Sequence, residues 1–331
     1  MLINAVFEGG GVKGISLVGA VKAAEQEGVT YHRLAGTSSG SIVAALISAG
    51  YSADEMKDVI ERTPLISLLR RSKWFDTPWI GPVARILLKK GLYSGEALEY
   101  WVKGLLRAKG IRTFGDLPPG RLQIIASDIT NGKILILPQD LVRFGMEPDK
   151  FEVAKAVRMS SSIPYFYDPV MLRLPPNQRR GVSFADQFVY VVDGALLSNF
   201  PLWLFDRDQL DSTGRLIPTV GFQLVGKQSG QRARIRGPVS MLQAMVDTML
   251  SAHDERYIEQ TNRYRTIKIP GLGIRTTQFD ISSADQQRLF ESGLRAGSEF
   301  FGKWSTKVYY DHFTKHSPIF QDDKIKPLVK I

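Results

Sequence analysis

Residues 3–28, INAVFEGGGVKGISLVGAVKAAEQEG, set an apolar run against a glycine-rich turn and then a helical pattern. Residues 2–7 read as a short buried strand, and 12–27 as a helix with Leu17, Val18, Val21 and Ala24 at helical spacing on its apolar face. Strand, glycine turn and helix make a βα unit. The pattern recurs at 34–46, LAGTSSGSIVAAL, where a strand near Leu34 enters a second glycine turn and a helix from about Ser39 to Ala49, closed by Gly50.

Further along, helices are expected at Asp54–Arg62, Ser94–Ala108, 151–161, 238–262 and 284–304. Strands are expected in LQIIASDI (122–129) and KILILP (133–138) around the turn TNG, and then in FVYVVDG (188–194), LIPTVGFQLV (216–225) and YRTIKIP (264–270). This alternation predicts an α/β fold, three layers α/β/α with a mostly parallel central sheet. One domain over 1–331 is expected, with its motifs in 1–205 and a C-terminal part, 206–331, completing the fold.

A chain of 331 residues with 44% apolar content can bury a large core. It contains no cysteine, which excludes disulfides, thiolate catalysis and cysteine-ligated zinc. Its four histidines, His32, His253, His312 and His316, are too scattered to suggest a metal site. The net charge of +10 suits an acidic partner such as an anionic membrane surface. Nucleic acid has only that charge behind it, without a helix-turn-helix, zinc or aromatic-basic signature, and is not expected as a partner. The opening MLINAVFEGGG has no basic leader and no apolar run of secretory length, so an intracellular, cytoplasmic protein is expected. No run reaches the roughly 18 apolar residues of a membrane span, so membrane contact is expected to be peripheral.

Gly9, Gly11 and Gly14 satisfy the dinucleotide pattern G-x-G-x-x-G, but its acidic partner about 20 residues on is missing from YHRLAGTSSG. A phosphate P-loop also fails, because Ile15 and Ser16 follow Gly14. Consecutive glycines before a helix can instead present backbone N–H groups to an anion, a transient oxyanion included. The second turn supplies a use for them. GTSSG is G-x-S-x-G at a strand-to-helix turn, which presents Ser38 as a nucleophile, the alternative being an ordinary glycine turn.

A nucleophilic serine needs a base. His253 is a candidate, but it lies mid-helix among charged residues in LSAHDERYIEQ. Asp193, at the end of an apolar strand and before Gly194, is better placed at the carboxyl edge of the sheet, the alternative being a structural Asp-Gly turn.

Taken together and in order, GGGVKG (9–14), GTSSG (36–40), ASDITNG (126–132), AVRMSSSIPYFYDPV (156–170) and DGALLSNFP (193–201) resemble the patatin family of lipid acyl hydrolases. The resemblance implies a Ser38–Asp193 dyad without histidine, an oxyanion hole from the Gly10 and Gly11 amides, and no metal or cofactor. It also makes Lys13 a candidate for steering a phosphate head group, the alternative being a solvated lysine at a helix start. Two features depart from the pattern. Ala195 stands where a second glycine often follows the aspartate, and RLPPNQRRGVSFADQ (173–187) looks like a basic insertion near the active-site rim.

The expected activity is hydrolysis of fatty-acyl esters of phospholipids or lysophospholipids by a serine esterase of phospholipase A type, through an acyl-serine intermediate. Segment 63–92, with Trp74, Phe75 and Trp79 among Arg70, Arg71, Lys73, Lys89 and Lys90, reads as a lid or membrane-facing element, or as a cap over an acyl pocket. Trp74 and Trp79 are its candidate substrate contacts. Two other functions fit parts of the pattern: an acyltransferase on a related fold, and a non-catalytic membrane- or phosphate-binding module.

Overall fold

A computed structural model describes residues 1–69, 88–206, 216–225 and 262–316, with positions 235, 237, 241, 244 and 248 between them. The tryptophan-rich part of the expected lid, including Trp74 and Trp79, lies outside the described residues, as does His253.

The central sheet has eight strands. Five run parallel in the order β10 (Thr266–Pro270), β9 (Thr219–Val225), β1 (Leu2–Phe7), β2 (Thr30–Thr37) and β4 (Leu122–Asp128). Antiparallel pairings then add β5 (Lys133–Leu137), β8 (Phe188–Asp193) and β7 (Val170–Arg173). Two three-residue strands, β3 (Gly91–Tyr93) and β6 (Tyr165–Tyr167), pair separately.

Strand β1 shows why the sheet must be covered on both faces. Ile3, Ala5 and Phe7 join the main core under the helices, while the alternate residue Val6 packs with Ala35, Phe200, Leu202 and Phe205 on the opposite side. The main face carries α1 (Gly14–Gln26), α2 (Ser39–Ser48) and α7 (Ser283–Phe301), whose Leu17, Val43 and Leu289 belong to the same core. The Tyr309 hydroxyl of α8 (Thr306–His316) accepts the Thr219 N–H of β9.

Helices α1 and α7 approach almost backbone to backbone. A Cβ on Gly19 would lie 1.9 Å from the Phe290 carbonyl oxygen, and one on Gly293 would lie 1.8 Å from that of Ser16. This contact fixes α1, and with it the glycine turn that α1 follows.

The most consequential pairing is at β4. Ile125 pairs with Thr37 of β2 and with Ile136 of β5, while its neighbour Ala126 pairs with Asp193 of β8 and Leu135 of β5. A strand has only two edges, so with β5 on one, β2 and β8 must share the other. The two run towards each other and meet end to end, bringing residues 37 and 193 to adjacent positions. The same topology corrects the reading of 173–187 as an active-site rim. That stretch links β7 to the start of β8, a full strand and roughly 17 Å from Asp193 at its far end.

Of the remaining helices, α5 (Val153–Ser160) and α6 (Ala195–Ser198) pack on β4 at that junction, while α3 (Ala53–Arg62) lies against α1 and α4 (Glu96–Ala108) against α5. Among the described residues, no helix is long and apolar enough to cross a membrane.

Candidate active site

Ser38 sits between the end of β2 and the first turn of α2 with φ 52° and ψ −126°. A side chain in the positive-φ region costs on the order of 1–3 kcal/mol and persists only when its surroundings impose it. Here they do. The Ser38 N–H donates to Ser160 Oγ at 2.8 Å, and Ser160 Oγ–H donates to the Ile125 carbonyl at 2.6 Å. The Ser38 carbonyl accepts from both the N–H (2.9 Å) and the hydroxyl (2.6 Å) of Ser41. Both motif glycines are sterically required: a Cβ on Gly40 would fall 2.3 Å from the Phe7 carbonyl oxygen, and one on Gly36 would fall 2.3 Å from that of Gly40.

Across the junction, Ser38 Oγ–H donates to Asp193 Oδ2 at 2.7 Å. The other carboxylate oxygen accepts the Ala195 N–H at 2.9 Å. Ala195 opens α6 with helical backbone on either side, so alanine serves where the resemblance has glycine. Asp193 is 1% exposed. Burial pushes its carboxyl up to about 7, against the lowering effect of the Ala195 N–H and the Ser38 hydroxyl. A carboxyl so placed is a base that works near neutrality.

The glycine turn is tied to the Asp193 loop through Asn199. Its Nδ2 donates to Glu8 Oε1 at 3.2 Å and to the Gly9 carbonyl at 3.3 Å, and its own carbonyl accepts the Gly9 N–H at 3.2 Å. Glu8, 1% exposed, also accepts the Leu224 N–H.

The amides of the turn have different fates. Gly10 N–H donates to Ser39 Oγ at 3.0 Å, and Val12 N–H donates to the Thr276 carbonyl at 3.1 Å. Between them Gly11, at φ +56°, has an N–H with no acceptor among the described residues. Of the two amides expected to hold an oxyanion, that of Gly10 is thus engaged by the Ser39 hydroxyl and that of Gly11 is not. Lys13 ends the turn with its aliphatic stem beside Gly271 and does not line the cleft.

That cleft, lined by Ser38, Ser39 and Gly11, runs between α1, α2, α3 and α4. Its walls are almost wholly apolar, among them Val18, Leu46, Met56, Ile60, Leu98 and Phe279. Trp101 lines it too, its one N–H satisfied by Thr63 Oγ1 at 3.2 Å. Such a lining offers nothing to a polar ligand along its depth and suits a hydrocarbon chain. Leu65 and Leu68, from the described beginning of the expected lid segment, are part of the wall.

Sequence reasoning brought Ser38, Asp193, Gly10 and Gly11 together, and it missed Glu8, Ser39, Ser160 and Asn199. Glu8 had a signal: a carboxylate directly after a buried strand has to be held by something. Ser160 and Asn199 stood inside stretches already singled out, without assigned roles.

A family model described as patatin-like phospholipase matches residues 5–206. The Bacillus subtilis (strain 168) protein YqhO is 40% identical over 306 residues, covering 92% of this chain and 100% of its own. Protein R571 of Acanthamoeba polyphaga mimivirus is 26% identical over 306 residues, covering 88% and 91%. Among solved structures, VipD from Legionella pneumophila matches with a TM-score of 0.46 at 15% identity, over 91% of this chain and 66% of its own. ExoU in its complex with SpcU from Pseudomonas aeruginosa matches with 0.47 at 19%, over 93% and 52%. The chain thus spans between about half and two thirds of the length of those two structures.

Proposed function

The chain belongs to the patatin-like phospholipase family, and from that premise we propose that it is a lipid acyl hydrolase working through Ser38 and Asp193. The observation that carries this reading is the 2.7 Å hydrogen bond to a buried carboxylate from the Oγ of Ser38, which lines an apolar cleft.

The acyl chain lies in the cleft with its ester carbonyl over Ser38. Ser38 Oγ attacks, its proton passes to Asp193 Oδ2, and the carbonyl electron pair moves onto oxygen. The Gly11 N–H points to that oxygen, and the positive end of α2 lies beneath it. Collapse expels the alcohol with the proton from Asp193 and leaves an acyl-Ser38 ester. Water, deprotonated by the same carboxylate, then attacks that ester, releases the fatty acid and restores Ser38. A carboxyl poised near 7 can both take and return this proton at neutral pH.

The substrate is a phospholipid or lysophospholipid at a membrane surface. Supporting this are the net charge of +10 and two large exposed apolar residues, Ile66 (60% exposed) and Leu88 (68%), on either side of the lid segment's undescribed part. The test is fatty-acid release from mixed phosphatidylglycerol and phosphatidylcholine vesicles by the native protein and by Ser38→Ala, Asp193→Ala and His253→Ala. Release that is lost in the first two variants and kept in the third supports the reading. Activity surviving in Ser38→Ala contradicts it.

A further inference from the structure

The Ser39 hydroxyl has engaged the Gly10 amide that the family resemblance would aim at an oxyanion. It accepts the Gly10 N–H at 3.0 Å, it lines the cleft beside Ser38, and its own proton has no acceptor among the described residues. Room for it is specific: a Cβ on Gly14 would lie 2.8 Å from Ser39 Cβ and 3.0 Å from its Oγ. Ser39 is 8% exposed, so the group is held with little water to serve its free O–H.

We propose that Ser39 is itself an oxyanion donor. The Gly10 N–H acts through it, polarising the hydroxyl, whose proton points to the developing negative oxygen alongside the Gly11 N–H. Hydrogen bonds in series strengthen one another, so a hydroxyl that accepts from an amide is a better donor than a free one. No proton is transferred. Ser39 keeps its hydrogen while the Ser38 proton goes to Asp193, and the two adjacent serines therefore have separate tasks. The inference rests on the hydrolase reading for its chemistry, but on the Gly10–Ser39 contact for its content.

The alternative arrangement, with Gly10 donating directly to the oxyanion, predicts the opposite sign. Removing the hydroxyl would then unmask the amide and leave the rate unchanged or raise it. The experiment compares native protein with Ser39→Ala and Ser39→Cys, the latter keeping the shape with a weaker donor. It measures kcat and KM on a soluble p-nitrophenyl acyl ester, and the rate at which a fluorophosphonate probe labels Ser38, since the P=O group occupies the oxyanion position. The expected result is a fall in kcat of about 10- to 1000-fold in Ser39→Ala, a smaller fall in Ser39→Cys, KM and melting temperature kept, and slowed labelling in parallel. Unchanged or faster reaction in Ser39→Ala overturns the proposal, as does a loss confined to KM or matched by a loss of melting temperature. Native protein that takes the probe but cleaves no lipid would fail the hydrolase reading, and the labelling rates would still decide this one. Native protein that takes neither would overturn both.

Discussion

At the scale of single residues, the site is built by opposing a carboxyl's preference for water. Asp193 is charged only at the expense of burial, and its pKa is raised to about 7. As a base it must be deprotonated, so kcat/KM is expected to rise with pH through about 7 and level off above it, a limb absent from Asp193→Asn along with the activity. Stability follows the same raised pKa with the opposite sense. The folded carboxyl keeps its proton up to about 7 and the unfolded one only to its ordinary 3.8, so the folded state loses stability as pH rises between those values. Asp193→Asn removes this penalty and is expected to melt above the native protein at pH 8 by an amount worth a few kcal/mol. The gap should close towards pH 4, as calorimetry at the two pH values would show. Ser160 has the complementary role of holding Ser38 in its strained backbone. Ser160→Ala leaves the Ser38 N–H and the Ile125 carbonyl without their present partner, and is expected to cost about 1–3 kcal/mol in denaturant unfolding and to slow turnover.

At the scale of elements, the site depends on two strands ending at one point and two helices touching without side chains between them. Gly293→Val places a branched side chain where even a Cβ would be 1.8 Å from the Ser16 carbonyl oxygen. The expected outcome is a loss of at least about 1–3 kcal/mol, from thermal melts, with a drop in activity, since α1 carries the glycine turn. The elements themselves were largely legible in the sequence. Strand Leu2–Phe7 and the helices Ser39–Ser48 and Ser283–Phe301 lie within a residue or a few of the expected bounds, because apolar spacing, Gly50 and the caps mark them. Strand direction was not legible. FVYVVD has the same apolar pattern whether it runs parallel or antiparallel, so its head-on meeting with β2 had to come from three dimensions. The short strands β6 and β7 and the helix Thr306–His316 were also missed, the strands because three or four residues are too few to show a period. For the proposed site, the meeting of Ser38 and Asp193 was legible because a G-x-S-x-G turn and an aspartate closing an apolar strand both stand out in the sequence. Ser39 and Asn199 were not, since their roles depend on which amide each happens to meet.

At the scale of the whole molecule, a positively charged chain holds an apolar cleft lined by Ser38, and exposed Ile66 stands in sequence between the lining residues Leu65 and Leu68. Depth then sets which acyl chains fit. Ile60→Trp fills part of the cleft and is expected to shift preference towards shorter acyl esters by about 10-fold or more in kcat/KM, read from a p-nitrophenyl ester series. Passage of the acyl group through Ser38 is checked by trapping it there. Native protein is mixed with phosphatidylglycerol vesicles, quenched in acid within milliseconds and digested with trypsin, and the peptide Leu34–Lys57 is fragmented in the mass spectrometer. One acyl group is expected on Ser38 and none on Ser39 or Ser41. Fatty acid released with that peptide never acylated, and with Ser38→Ala as active as the native protein, would contradict that route.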